Sequence, residues 1–118
     1  VPGVPASVSV LMGHGRERML PPLRQVFEQR PVGRFANCID DLADDVSARA
    51  TTLAKQAVAA LPRTTGYFGI DMIIGDCDVV LEVNPRITMS WCCLRELLPF
   101  NLATGMLETV GHITQGAE

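Results

Sequence analysis

The sequence predicts an α+β fold, an antiparallel sheet packed by helices, and three observations carry that expectation. Residues 66–74 and 79–86 are runs rich in β-branched and aromatic residues, separated by the turn formers Gly75-Asp76-Cys77-Asp78, the pattern of an antiparallel hairpin. Residues 6–12 alternate small or polar positions with Val8, Val10 and Met12, as a strand with one buried face does. Leu42, Val46, Leu53, Ala57 and Leu61 recur at helical spacing until Pro62 stops them. At 118 residues, 47% hydrophobic and 19% charged, the chain is enough for one modest core.

Taken in order, residues 1–38 read as a small meander. The strand over residues 6–12 is followed by a turn at Gly13-His14-Gly15, a short returning strand over residues 16–20, a break at Pro21-Pro22, and renewed extension over residues 23–29. His14, alone between two glycines, is expected to be exposed and inert rather than catalytic. Ser7 and Ser9 have no His and Asp nearby to make them nucleophiles, so they are strand residues that can touch a phosphate. From residue 31 to 38 the pattern loosens.

Residues 39–110 carry a helix, the hairpin and two further helices. Asp40, Asp41, Asp44 and Asp45 look like a metal cluster, but acids in a first helical turn complement the helix dipole, and that is the expectation here. After the hairpin, Ser90 is expected to N-cap a helix over residues 91–98 that Pro99 ends. A last helix is expected over residues 101–110, followed by a frayed tail over residues 111–118.

The hairpin register can be worked out by arithmetic. If Ile74 and Val79 flank the turn, Ile73 pairs with Val80, Met72 with Leu81, Asp71 with Glu82, Gly69 with Asn84 and Tyr67 with Arg86. One face then carries Asp71, Glu82, Asn84 and Arg86, while Phe68, Ile70, Met72, Leu81 and Val83 face the core. Directly opposed carboxylates lie roughly 4.5–5.5 Å apart at Cβ and repel, so something must offset the repulsion. Two carboxylates and an amide suit a hard cation such as Mg2+ (or Mn2+), which typically shares its remaining positions with waters and phosphates. The Arg86 guanidinium can bind phosphate or carboxylate through two hydrogen bonds. A solvated polar face is the competing reading of each residue alone; the constellation favours a metal.

Gly66-x-x-Gly69-x-Asp71, the hairpin, and Leu81-Glu82-Val83-Asn84-Pro85-Arg86-x-Thr88-x-Ser90 resemble the carboxy-terminal half of the ATP-grasp fold, the ATP-dependent carboxylate–amine ligases. Ala6-Ser7-Val8-Ser9 and the stretch from Pro21 to Gln25 are similar to that family in the same order, whereas Phe35-Ala36-Asn37-Cys38 stands where it usually has Tyr-x-Gly-Gly. The resemblance implies Mg2+ ligation by Asp71, Glu82 and Asn84, a catalytic Arg86 on the reacting phosphate and acyl group, and Leu81 against the adenine. That last role needs a local bulge, because plain alternation puts Leu81 on the opposite face from Glu82. Thr88 and Ser90 are placed at the substrate, since a helix start favours anions.

The implied reaction forms an acyl phosphate from a carboxylate and ATP, and an amine then displaces phosphate to give an amide, with ADP released. The expected partners are ATP and small carboxylate and amine substrates. Leu94-Arg95 and Asn101-Leu102-Ala103 are similar to a branch that includes tyramine–glutamate ligase. The resemblance spans part of an ATP-grasp domain, with the phosphate-contacting lysine and adenine hinge expected upstream of Val1. A non-catalytic nucleotide- or ligand-binding module derived from the same fold is the alternative.

A net charge of −3 with no basic stripe, and a single Trp and Tyr, argue against nucleic acid as a partner. With no apolar run of about 18 residues and no leader-like start, neither a membrane partner nor secretion is expected, and the default compartment is cytoplasmic. The four cysteines, Cys38, Cys77, Cys92 and Cys93, fit neither a disulfide framework nor a zinc site, and are expected to be reduced thiols. Gly-x-Gly-x-x-Gly and the phosphate loop are both absent, so phosphate binding must use metal and side chains.

Overall fold

The structure is a computed structural model that describes residues 2–13, 16–31, 33–62 and 65–109. His14 and the tail over residues 111–118 lie outside the described residues. The chain runs β1 (Val4–Gly13), β2 (Arg16–Met19), β3 (Leu23–Arg30), β4 (Gly33–Ile39), α1 (Asp44–Ala59), β5 (Gly66–Ile74), β6 (Val79–Asn84), α2 (Ser90–Leu97) and α3 (Leu102–Thr109). The strands form one antiparallel sheet in the order β4-β3-β1-β5-β6, with β2 pairing β1 off that path.

Strand β1 organises the sheet. It pairs with β5 along its length, from Val4 opposite Ile74 to Met12 opposite Gly66, and so joins the amino-terminal meander to the hairpin. Because it lies inside the sheet it is buried on both faces, with Ala6, Val8 and Val10 on one and Ser7, Ser9 and Leu11 on the other. The alternation pattern had pointed to one buried face only. Residues 33–39, where the sequence pattern loosens, form β4 and pair with β3 from Arg30–Gly33 to Arg24–Ile39. That pairing is supplied by the neighbouring strand, which local propensity does not reveal.

Two cores follow from this placement. On one face, Ala6, Val8, Val10, Ile70, Met72 and Ile74 meet α1 through Ala50, Ala54 and Val58. The helical stripe read from the sequence is displaced: Leu42, Val46, Leu53 and Ala57 only flank this contact, and small alanines at i and i+4 let the helix lie close to the sheet. On the other face, Leu11, Leu20, Leu23 and Tyr67 pack against Leu94 and Leu102 of α2 and α3, with the Tyr67 and Trp91 rings 5.7 Å apart. Each large side chain so buried stabilises the fold by roughly 1.5–3 kcal/mol. The expectation of one polar and one apolar hairpin face therefore needs correction at Tyr67, which lies on the face of Asp71 and belongs to this second core.

The acidic cluster divides. Asp44 and Asp45 do sit in the first turn of α1, but Asp41 precedes the helix and takes both Arg24 Nε and Nη2 at 2.7 Å. Ser90 is not a cap: it is the first residue of α2, Met89 holds the N-cap position, and the Ser90 hydroxyl instead donates to Ser7 Oγ at 3.3 Å. Asn101 caps α3, its Oδ1 accepting the Thr104 N–H at 3.0 Å.

Strand β6 contains a bulge. Asp71 pairs with Glu82 and Gly69 with Asn84 as the arithmetic gave, but Met72 pairs with Val80 and Ile73 with Val79, so Leu81 is the extra residue. Val80 takes the core position expected for Leu81, which is 57% exposed. Arg86 lies beyond the strand, in a tight turn where its N–H donates to Asn84 O at 2.8 Å. Tyr67 therefore has no Arg86 partner in β6; it pairs with Leu11 of β1, and its hydroxyl donates to Ser9 Oγ at 2.6 Å. Arg49 of α1 bonds Asp78 and Gly75 O, fixing the hairpin turn to the helix.

Candidate functional site

The site grows from the register. With the bulge absorbed at Leu81, Asp71 and Glu82 stand directly opposite one another, and Asn84 lies two residues further along the same face of β6. Asp71 is held from both sides, its Oδ1 accepting from Gln25 Nε2 at 3.3 Å and its Oδ2 from Asn84 Nδ2 at 3.4 Å. Burial pushes the Asp71 carboxyl above its usual range and the facing Glu82 pushes it further, while hydrogen bonds from Ser7, Asn84 and Gln25 pull the other way. Asn84 is 8% exposed, whereas Glu82 is exposed. One carboxylate is thus fixed and partly desolvated, and the other is exposed.

A cavity of about 170 Å³ opens beside this pair. Ser7, Asp71, Asn84, Arg86, Thr88 and Ser90 are among the residues that line it. Arg86 also donates through Nη1 to Ile87 O at 3.2 Å. Thr88 is seated on Gly69: a Cβ at residue 69 would lie 2.5 Å from Thr88 Cγ2, so only glycine lets the loop close over the sheet here. Buried in that seat, Thr88 Oγ1 makes no hydrogen bond of good geometry among the described residues, although it stands near enough to the Tyr67 hydroxyl to oppose the upward push of burial on that group. An orphaned buried hydroxyl costs roughly 1–3 kcal/mol, which a bound polar ligand can offset.

Asp71, Asn84, Arg86, Thr88 and Ser90 thus come together at one cavity. Glu82 faces Asp71 across the hairpin but is not part of the cavity wall, and Leu81 stands exposed on the bulge beside it. Gln25, Asn37, Cys38 and Met89 also line the cavity and had no site role from sequence. Gln25 and Cys38 are cross-strand partners in β3 and β4, so finding them needed the strand pairing that the loose pattern over residues 31–38 hid. Among the described residues no three His, Cys, Asp or Glu side chains gather as a metal cluster. Two opposed carboxylates plus an amide nonetheless make an all-oxygen donor set that fits a hard divalent cation completed by phosphate or water.

A family model of the ATP-grasp domain matches residues 1–90. The chain belongs to the ATP-grasp family. The ATP-grasp half-sheet is also similar in sequence to a tyramine–L-glutamate ligase of Methanocaldococcus fervens, 34% identical over 92 residues that cover 75% of this chain and 29% of that protein. Two solved structures share the fold. An ATP-grasp superfamily protein from Archaeoglobus fulgidus superposes with a TM-score of 0.75 at 22% identity, covering 92% of this chain and 35% of its own. The D-alanine–D-alanine ligase of Bacillus anthracis complexed with ATP superposes with a TM-score of 0.66 at 16% identity, covering 100% of this chain and 41% of its own. The chain therefore spans about a third of the proteins it matches, and its antiparallel sheet with helices is the α+β part of the ATP-grasp fold. Among the described residues no helix is long and apolar enough to cross a membrane.

Proposed function

We propose that this chain is the metal- and phosphate-binding half of an ATP-dependent carboxylate–amine ligase. The observation that carries the proposal is the bulged register that sets Asp71 opposite Glu82 with Asn84 on the same face, beside a cavity that Asp71, Asn84 and Arg86 line. Family membership and the ATP-bound fold relative support the same reading.

In this reading Asp71 and Glu82 hold one Mg2+, and Glu82 and Asn84 a second. Bound there, the metal neutralises charge on the nucleotide phosphates. The chain's own residues do the rest by position. Fixed by Gln25 and Asn84, Asp71 presents its carboxylate without reorganising, while exposed Glu82 supplies the second acid. Arg86 stabilises negative charge on the transferring phosphoryl group and later on the tetrahedral centre. Thr88 Oγ1 offers a hydrogen bond to the substrate carboxylate, the Ser90 hydroxyl lines the same cavity with its proton given to Ser7, and Leu81 offers apolar surface to the adenine.

The chemistry balances as two displacements. A carboxylate oxygen attacks the γ-phosphorus, the bond to the β,γ-bridging oxygen breaks, and ADP leaves. The amine nitrogen then attacks the acyl carbon, the C–O bond to phosphate breaks, inorganic phosphate leaves, and the nitrogen loses a proton to solvent.

The test is ADP release by the full-length protein across a panel of acids and amines. ADP formation that requires one acid and one amine together, and that falls at least 100-fold in Arg86→Ala, is the expected result. Nucleotide binding without acid- and amine-dependent release would instead mark a non-catalytic binding module.

A further inference from the structure

Strand β1, in the middle of the sheet, brings two buried serine hydroxyls to the face that carries the site, and they have different partners. Ser9 accepts the hydroxyl of Tyr67, a member of the second core, at 2.6 Å. Ser7 pairs with Asp71 across β1 and β5, and Asp71 pairs in turn with Glu82 across β5 and β6. Directly opposed residues share a face, so Ser7, Asp71 and Glu82 form one row over three adjacent strands.

The hydrogens along this row follow from what each group can donate. A serine hydroxyl has one proton to give and lone pairs with which to accept. Ser90 donates its hydroxyl proton to Ser7 Oγ at 3.3 Å, so the Ser7 proton is left for another acceptor. That acceptor is the Asp71 carboxylate, which takes hydrogen bonds from Ser7, Gln25 and Asn84 among the described residues. An ionised carboxylate has about four acceptor positions, so about one is left for a cation. Ser7 is 2% and Ser90 5% exposed, and a hydroxyl left unpaired at such positions keeps most of its desolvation cost.

We propose that Ser7 is a positioning residue of this site: its hydroxyl joins Ser90, where the loop from Arg86 enters α2, to the Asp71 carboxylate, so that one group sets both the loop and the acid. The proposal rests on the reading that Asp71 binds a divalent cation, and Ser7 acts through Asp71 rather than on the cation. The loop is thereby fastened to the sheet twice, by Thr88 over Gly69 and by Ser90 on Ser7, and the second fastening ends on a metal ligand. Removing a hydrogen-bond partner of a ligating side chain typically lowers metal affinity about 10–100-fold. Alanine at residue 7 removes two bonds at once, leaving the buried Ser90 hydroxyl without its acceptor and Asp71 with the Gln25 and Asn84 donors.

The test is isothermal titration of ADP into the protein carrying this chain over a series of Mg2+ concentrations, with thermal melts of the same variants in the absence of metal. In Ser7→Ala the Mg2+ concentration that gives half of the gain in ADP affinity should rise at least tenfold, while ADP affinity without Mg2+ is unchanged. Ser7→Cys, which fills the same space with a weak donor, should show the same direction of change if the alanine variant does not fold. Ser7→Thr keeps the hydroxyl and should stay within about threefold of wild type. Thr109→Ala removes another buried hydroxyl, bonded to Gly105 O at 2.8 Å, and should lower Tm without moving the Mg2+ midpoint. Adding Ser90→Ala to Ser7→Ala should lower neither Mg2+ affinity nor Tm further, because the second change deletes the hydroxyl that the first left unpaired. A Mg2+ midpoint unmoved by Ser7→Ala and Ser7→Cys, one moved as far by Ser7→Thr or Thr109→Ala, or losses at residues 7 and 90 that simply add would overturn the proposal. A wild type whose ADP affinity ignores Mg2+ would overturn the metal reading and this proposal together, whereas a Mg2+-dependent wild type with an indifferent Ser7→Ala would overturn this proposal alone.

Discussion

Replacing Gly69 by alanine tests whether the loop that carries Arg86 is held in place by the sheet beneath it. The added Cβ would sit 2.5 Å from Thr88 Cγ2 and 3.2 Å from Thr88 Oγ1. Carbon atoms in contact prefer about 3.5–4.0 Å, so Thr88 must retreat by roughly 1 Å or more. Overpacking of this kind typically costs about 1–3 kcal/mol. For a domain of this size that corresponds to a fall in Tm of roughly 4 °C or more, readable by calorimetry. The functional cost should exceed the stability cost, because displacing a positioned group by about 1 Å can lower turnover on the order of 100-fold. The clash is specific to one methyl group, and so is the rescue. Thr88→Ser removes Cγ2, keeps the orphaned hydroxyl, and leaves the new Cβ only the 3.2 Å contact to accommodate. Gly69→Ala with Thr88→Ser should therefore recover most of the loss, with a coupling energy in the roughly 0.5–3 kcal/mol range of contacting pairs. A neutral Gly69→Ala, or two effects that simply add, would refute the reasoning.

Three further outcomes are expected. Asp71→Asn should raise the stability of the ligand-free protein by roughly 0.2–1 kcal/mol, the scale of one cross-strand pair, while removing metal-dependent nucleotide binding. Because burial and Glu82 raise the Asp71 pKa, the folded chain holds that proton more tightly than the unfolded one, so this residue adds stability as pH falls below neutral through its raised value. Asp41 and Asp78, both lowered by arginine partners, act oppositely, and the Asp71 contribution is read as the difference between wild type and Asp71→Asn in denaturation series from pH 7 to 4. Leu81→Asp should change stability by less than about 0.5 kcal/mol, as exposed sites do, whereas Val80→Asp should unfold the hairpin; a regular register without the bulge demands the reverse order of Tm values. At pH 8, iodoacetamide should label the exposed Cys77 and Cys92 well before Cys38, whose pKa of about 11 leaves on the order of one thiolate per thousand; mass spectrometry of the time course decides it.

How far the sequence could be read depended on the range of the forces involved. The hairpin was legible because its turn and both strands lie within the 19 consecutive residues from Gly66 to Asn84, and the pairings of Asp71 with Glu82 and Gly69 with Asn84 followed from counting. The bulge was not visible in the counting, since Val80 and Leu81 are both apolar and only the packing of α1 chooses Val80 for the core. The α1 stripe was misread for a related reason. Leucines dominate a hydrophobicity count, but the close approach to β1 and β5 admits only Ala50, Ala54 and Val58. Strand β4 pairs with β3 just before it but has no clear strand pattern of its own, and the second core under α2 and α3 and the cavity lining depend on contacts between distant segments. Ser90 illustrates the limit of local rules: it looks like a helix cap, yet its hydroxyl turns to Ser7, 83 residues away.

The central claim is that Asp71, Glu82 and Asn84 act together through a divalent cation to hold a nucleotide. The most direct measurement is isothermal titration of ADP into the protein with and without Mg2+, for wild type and Glu82→Gln, an exposed substitution that leaves the Asp71 hydrogen bonds in place. ADP affinity that rises at least tenfold with Mg2+ in wild type, and loses that dependence in Glu82→Gln with Tm unchanged, is the predicted result. ADP binding that ignores Mg2+, or a metal dependence that survives Glu82→Gln, would contradict it.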